Sequence, residues 1–117
     1  MDPINLIFIS LPISTNCLFR SYRGRVCKSK KYREWQVEIT KQLNNQYHGE
    51  ILECELEMEV VFTKSNKRKY DVDNCFKSLL DTLEGICYRN DSQIIVLKGT
   101  KVQGLENRID VTMKSHN

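Results

Sequence analysis

In the middle of the chain, Leu52, Cys54, Leu56, Met58, Val60 and Phe62 alternate with Glu53, Glu55, Glu57 and Glu59. That period of two predicts a strand with one face in a core and the other in water. Glutamate favours helix over strand, but strict alternation cannot be laid on one face of a helix, so periodicity outweighs propensity. The apolar run from Ile4 to Ser10 predicts a buried strand, ended by Pro12 and the turn-forming Ser14, Thr15 and Asn16. From there to Ser29 the chain reads as a long basic loop with Gly24 as its flexible point. Ser29 caps a first helix in which Tyr32, Trp35, Ile39 and Leu43 recur at helical spacing, stopped by Asn44, Asn45 and Gly49.

A second helix, from Val72 to Leu83 or Glu84, sets Val72, Cys75, Phe76, Leu79, Leu80 and Leu83 on one stripe, and Gly85 is its C-terminal stop. Asn90 and Asp91 then make a turn. Gln93 to Lys98 and Arg108 to Met113 read as strands, with Gly104 between them. The order is strand, helix, strand, helix, strand, strand. No repeat, low-complexity tract or linker divides it, and residues 1–117 read as a single domain.

Composition narrows the class. Hydrophobic residues make up 40% and charged residues 28% of the chain, a globular balance rather than a disordered or membrane one. The apolar start is broken by Asn5, Ser10 and Pro12 and has no basic residue before it, so it reads as neither signal peptide nor membrane span. The five cysteines are an odd number, lie far apart and form no Cys-x-x-Cys pair, which argues against a disulfide framework and a structural zinc site. Free thiols without an export signal point to a reducing, cytoplasmic setting. The net charge is only +3, but Arg20, Arg23, Arg25, Lys28, Lys30, Lys31 and Arg33 follow one another without an acidic residue. A second basic group, Lys64, Lys67, Arg68 and Lys69, stands directly before Asp71. Such clusters suit sequence-independent contacts to phosphate. The row Glu53 to Glu59 would repel phosphate and reads as a solvent face turned elsewhere.

The candidate chemistry lies on the second helix. Asp73 and Lys77 are four apart, as are Lys77 and Asp81, so all three share its polar side, with Asp71 just ahead. Taken singly, Asp71 is explained as an N-cap and Asp73 with Lys77 as a surface pair worth about 0.3–0.5 kcal/mol. Asp91 alters that reading. If the strand after it lies beside the Glu-rich strand, Asp91 comes back toward Asp71 and Asp73. Three converging carboxylates need a cation, since each pair at about 4 Å opposes the other by roughly 4 kcal/mol at an effective dielectric of about 20. Oxygen donors favour Mg²⁺, with Mn²⁺ as a substitute, and such an ion both activates water and stabilises charge on a phosphodiester. Lys77 is placed to hold a non-bridging oxygen or to support the leaving group. Tyr22 is suited to stack on unpaired bases, whereas Tyr32 and Trp35 read as core. His48 and His116 read as solvated, Asp81 as an ion-pair partner and Asn74 as a capping residue.

The string Arg68-Lys69-Tyr70-Asp71-Val72-Asp73-Asn74, then Lys77, Leu80-Asp81-Thr82-Leu83, Gly85 and Asn90-Asp91-Ser92-Gln93-Ile94, resembles the signature of the RusA family of Holliday-junction resolvases. Leu11-Pro12-x-Ser14-x-Asn16 and Arg23-Gly24-Arg25 agree with the family near the start. The resemblance implies an α/β (α+β mixed) domain with a mixed sheet of about four strands and two helices. It implies a homodimer acting on branched DNA by Mg²⁺-dependent paired nicking of four-way junctions, with no membrane and no small-molecule substrate. Carried over by position, Asp71, Asp73 and Asp91 match the family's metal-binding aspartates and Lys77 its essential lysine. Asn16, Arg20, Arg23, Arg25, Lys28, Lys30, Lys67, Arg68 and Lys69 are the expected DNA contacts. The first residue of the family's Asp-Asp pair is Asn90 here, and Lys69-Tyr70 stands where the family tends to carry more arginine. The alternative reading is a branched-DNA-binding protein without catalysis, and a third is a subunit whose basic loop binds an acidic protein.

Overall fold

The computed structural model describes residues 1–116. In chain order the elements are β1 (Ile4–Phe8), β2 (Phe19–Tyr22), β3 (Arg25–Lys28), α1 (Lys30–Gln46), β4 (Leu56–Lys64), α2 (Phe76–Leu83), β5 (Ile94–Gln103) and β6 (Arg108–Ser115). Short 3₁₀ turns stand at Thr15–Cys17, Val72–Cys75 and Asp91–Gln93. The main sheet has the order β1-β6-β4-β5: β6 is antiparallel to both β1 and β4, and β5 is parallel to β4. A parallel neighbour needs a crossover, and α2 supplies it.

Alternation decides which face is covered. Leu56, Met58, Val60 and Phe62 of β4 are fully buried beneath the helices, together with Leu6 and Phe8 of β1 and Ile109, Val111 and Met113 of β6. Ile39 and Leu43 of α1, and Leu79 and Leu83 of α2, close the core from above. The intervening strand residues face outward: Glu59 pairs with Lys98 at 4.0 Å, and Glu57 with His116 at 3.2 Å. Because that second face carries no helix, Ile7 and Ile9 are exposed, so the first strand is buried on one side only.

Several boundaries move: β1 ends at Phe8, α1 runs on to Gln46, and the strand expected to stop at Lys98 continues to Gln103. The Glu-rich strand begins at Leu56, not Leu52, because Gln93 Nε2 donates to the Leu52 and Cys54 carbonyls and Leu52 N donates to Cys87 O, which diverts this segment from the sheet. Cys54, placed in the core by pattern, is exposed. The second helix opens as a 3₁₀ turn before becoming α-helical at Phe76, and Gly85, at φ +86, ends it. A further correction is the basic segment, which is a hairpin rather than a loop. Arg23 (φ 50) and Gly24 (φ 74) supply the two positive φ values of a type I′ turn, and Tyr22 faces Arg25 across it. Trp35 packs between the two apolar clusters and donates through Nε1 to Leu11 O at 2.9 Å.

Candidate active site

The chain leaves β4 at Lys64, passes through the exposed run Ser65–Lys69, and is gripped again at Tyr70. Tyr70 donates its hydroxyl to Phe62 O at 3.2 Å. The ammonium groups of Lys64 and Lys101 lie 4.0 and 5.3 Å from its ring centroid, and Lys101 also donates to the Tyr70 carbonyl at 2.9 Å. Burial raises the Tyr70 pKa, so the phenol stays a neutral donor. One residue on, Asp71 occupies the cap position of the 3₁₀ turn, yet its side chain makes no capping bond. The Cys75 thiol donates to Asp71 O at 3.6 Å; burial, the largest influence, lifts that thiol to about 11 and keeps its proton in place. Val72 turns inward beside Phe76 over Gly99, where an added Cβ would stand 2.8 Å from a Val72 methyl.

Asp71 and Asp73 therefore flank a partly buried valine and are themselves exposed. Among the described residues neither carboxylate accepts a hydrogen bond or an ion pair within the chain. Lys77 pairs forward with Asp81 at 3.3 Å rather than back with Asp73. Both structural explanations of the aspartates thus fail: the cap bond is not made, and the surface pair is formed elsewhere. Two unpaired carboxylates two residues apart at the start of a helical segment fit a divalent ion, because Mg²⁺ commonly takes one or two carboxylates and completes its shell with water and phosphate. Asp71 and Asp73 are the residues that would hold it.

Asp91 is not beside them within one chain. The strand after it does pair with β4, as required, but in parallel register, Leu56 opposite Ile94 and Lys64 opposite Gln103. That places Asp91 at the opposite end of α2, where its N–H donates to Glu84 Oε1 at 3.0 Å. Between the two ends run four residues of 3₁₀ turn and eight of α-helix, roughly 20 Å at their usual rises. Among the described residues no three His, Cys, Asp or Glu side chains gather to hold an ion. The expected convergence of three carboxylates is not formed inside a single subunit. Asn90, the departure from the family's pair, caps the 3₁₀ turn by accepting from Ser92 N at 2.9 Å, while Gln93 Oε1 accepts from Asn90 N at 2.9 Å. Asparagine performs this task as well as aspartate.

The basic residues divide. A cleft of about 390 Å³ joins Asn16, Lys31, Lys64, Arg68 and Lys69 to Asp71 and Asn74, and Thr15 Oγ1 fastens its two walls by donating to Asn74 O at 3.0 Å. Lys67 lies beyond it in the same run, exposed. On the hairpin, Phe19 packs edge-on against Tyr32 and Lys28 covers the same ring while donating to Gln36, so that face looks inward. Strand alternation sends Arg20, Tyr22 and Arg25 to the opposite, solvent face, with Arg23 at the tip. Lys30 pairs with Glu34 at 3.7 Å. Pattern alone named Lys31 and Lys64 only as members of the basic clusters, and it missed Tyr70 and Lys101 as parts of the site. The signal was positional: Lys64 and Lys101 stand near the ends of adjacent strands, on either side of Tyr70, the residue that leads into Asp71.

A mixed α/β domain with a bare carboxylate pair, Asp71 on the wall of a basic cleft and Asp73 two residues on, fits a metal-dependent phosphodiesterase. The sequence matches the family model described as Endodeoxyribonuclease RusA over residues 11–114. It is 30% identical over 104 residues to the crossover junction endodeoxyribonuclease RusA of Aquifex aeolicus (strain VF5), covering 86% of this chain and 82% of that protein. The chain belongs to the RusA family of endodeoxyribonucleases, divalent-metal-dependent enzymes that hydrolyse DNA phosphodiesters and act on branched DNA.

Proposed function

We propose that this chain is a Mg²⁺-dependent Holliday-junction resolvase that works as a homodimer in the cytoplasm, each subunit a single domain nicking one strand of a four-way junction. The observation that carries the reading is the pair Asp71 and Asp73, exposed and unpaired, with Asp71 lining a basic cleft. Bound there, a divalent ion supplies an activated water and charge stabilisation at the scissile phosphate. The chain's own groups do the rest. Asn16, Arg68 and Lys69 hold the backbone beside the carboxylates, and Lys67 extends that contact. Arg20, Arg23 and Arg25 grip a neighbouring arm, with Tyr22 stacking on a base freed at the branch. Lys77 neutralises a non-bridging oxygen; its pairing with Asp81 is half exposed and, worth about 1 kcal/mol or less, yields to phosphate. Lys28 and Lys30, engaged with Gln36 and Glu34, support the hairpin and contribute long-range attraction. Asp91 is the third metal-site residue by its match to the family's aspartate, and within one subunit it stands at the far end of α2, bound through its N–H to Glu84.

A labelled four-way junction and a linear duplex of the same sequence, each incubated with Mg²⁺, test this directly. Symmetric nicks near the branch are expected on the junction alone. Asp73→Asn should lose at least about 100-fold in cutting, since a metal's charge stabilisation is worth several kcal/mol and each 1.4 kcal/mol is tenfold, while junction binding persists. Binding without cutting at any metal concentration would establish the alternative, a non-catalytic branch-binding protein.

A further inference from the structure

One flank of α1 has no part in the carboxylate site. A shallow groove of about 790 Å³ runs there between α1 and α2. Its α1 wall is Arg33, Val37, Thr40, Lys41, Asn44 and Asn45, which recur three and four apart and so share one stripe of the helix. Asp81 and Thr82 of α2 form the facing wall, and Lys28 stands at the hairpin end. The asparagines are out of place by propensity: their residue type favours ending a helix, yet α1 runs through both to Gln46.

The two flanks of α1 are put to different uses. On one, Gln42 and Gln46 hold the backbone of Ile9 and Ile7 and so close the β1 edge, Glu38 accepts from Gln42, and Glu34 pairs with Lys30. On the groove flank, among the described residues, the side chains of Arg33, Thr40, Lys41, Asn44 and Asn45 make no hydrogen bond or ion pair. The one acid lining the groove, Asp81, is partnered by Lys77 at 3.3 Å. Two unpaired cations, two free amides and a hydroxyl are the groups that bond phosphate oxygens in complexes with DNA. A protein partner needs an aromatic or large apolar anchor, and the groove offers only Val37. From Arg33 to Asn45 the stripe runs roughly 18 Å at the helical rise, the length of about five nucleotides of one strand. Lys77, one turn after Asp73 and one turn before Asp81, makes the groove continuous with the start of the second helical segment.

Resting on the nuclease reading above, we propose that this groove seats the sugar-phosphate backbone of a duplex arm of the junction, away from the cut. Arg33 and Lys41 neutralise phosphates there, and Thr40, Asn44 and Asn45 donate to their oxygens. The arm is thereby aimed along α1 while the strand to be cut lies at Asp71 and Asp73. One surface then accounts for the idle cations, the acids turned to the other flank and the asparagines inside the helix.

Two double variants and a footprint test it on the whole protein. Arg33→Ala with Lys41→Ala removes two exposed, unpaired cations, so the melting temperature should hold while the logarithmic salt dependence of junction binding flattens by about 1.8, at about 0.9 per contact. Asn44→Ala with Asn45→Ala improves helix propensity. Its melting temperature should therefore hold or rise while junction binding weakens about tenfold or more; a purely structural role would move the two together. Hydroxyl-radical footprints of the wild-type complex should show a protected patch of about five nucleotides set apart from the cut, lost in both variants while protection at the cut remains. At saturating protein, both variants should cut at the wild-type rate. A wild type that cuts junctions while both variants keep its affinity, salt slope and footprint would overturn the proposal and leave the nuclease standing. Binding without cutting by the wild type, with both variants weakened, would overturn the nuclease and leave the groove. Variants that keep DNA binding but lose a polyglutamate peptide bound by the wild type would overturn the proposal in favour of an acidic protein.

Discussion

At the residue scale, the decisive feature is what Asp71 and Asp73 do not do. Their sequence positions are equally suited to capping and to a helical ion pair, and only the structure shows both roles left unfilled. The residues themselves were legible because their spacing from Lys77 is local and helix geometry fixes it. Asp91 was legible as a residue but not as a place: the sequence gives its distance along the chain, whereas its location depends on the direction and register of the strand that follows. Cys54 was misplaced for a related reason, since alternation carries no sign of the Gln93 side chain that captures the carbonyls around it. Two other cysteines make a pH prediction. Burial raises the Cys75 thiol to about 11 and the Cys87 thiol to about 12 from an ordinary value near 9. The folded state therefore keeps protons that the unfolded chain releases. Their stabilising effect is complete below about pH 9 and is lost as pH rises through 11 to 12. Urea midpoints at pH 8, 9.5 and 10.5 should fall progressively, and Cys87→Ala should flatten the fall.

At the element scale, α1 and α2 were legible as helices because their apolar stripes are continuous and Ser29 and Gly85 mark one end of each, although α1 runs past Asn44 and Asn45 to Gln46 and the first four residues expected in α2 form a 3₁₀ turn. The β2–β3 hairpin was not, because its faces carry arginine, serine and cysteine instead of a core pattern and its turn is Arg23-Gly24 rather than Asn-Gly. Its outward arginines have a measurable consequence. If Arg20 and Arg25 each neutralise one phosphate, the double alanine variant should flatten the logarithmic salt dependence of junction binding by about 1.8, at about 0.9 per contact, without altering the melting temperature. The seam between β5 and α2 is equally specific. A Cβ at Gly99 would lie 2.5 Å from Phe76 Cζ and 2.8 Å from a Val72 methyl, so Gly99→Ala must push aside the Phe76 ring and the Val72 side chain that seat the turn carrying Asp71 and Asp73. It should cost about 1–3 kcal/mol in urea unfolding and depress cutting more than binding.

At the scale of the whole molecule, the sheet has one face covered by helices and one open, one edge closed by glutamines and one left free. The mixed four-stranded sheet was foreseeable from element order and family resemblance; the contrast between its edges was not, because it depends on which strands lie outermost. The measurement that bears most directly on this account uses a supercoiled plasmid that extrudes a cruciform, incubated with the wild-type protein in Mg²⁺ and, separately, in chelator. Two coordinated cuts across one junction give linear DNA, and the account predicts linear product with Mg²⁺ and intact plasmid without it. Plasmid left uncut at every metal concentration would contradict the nuclease, and nicked circles without linear product would contradict the paired, dimeric action.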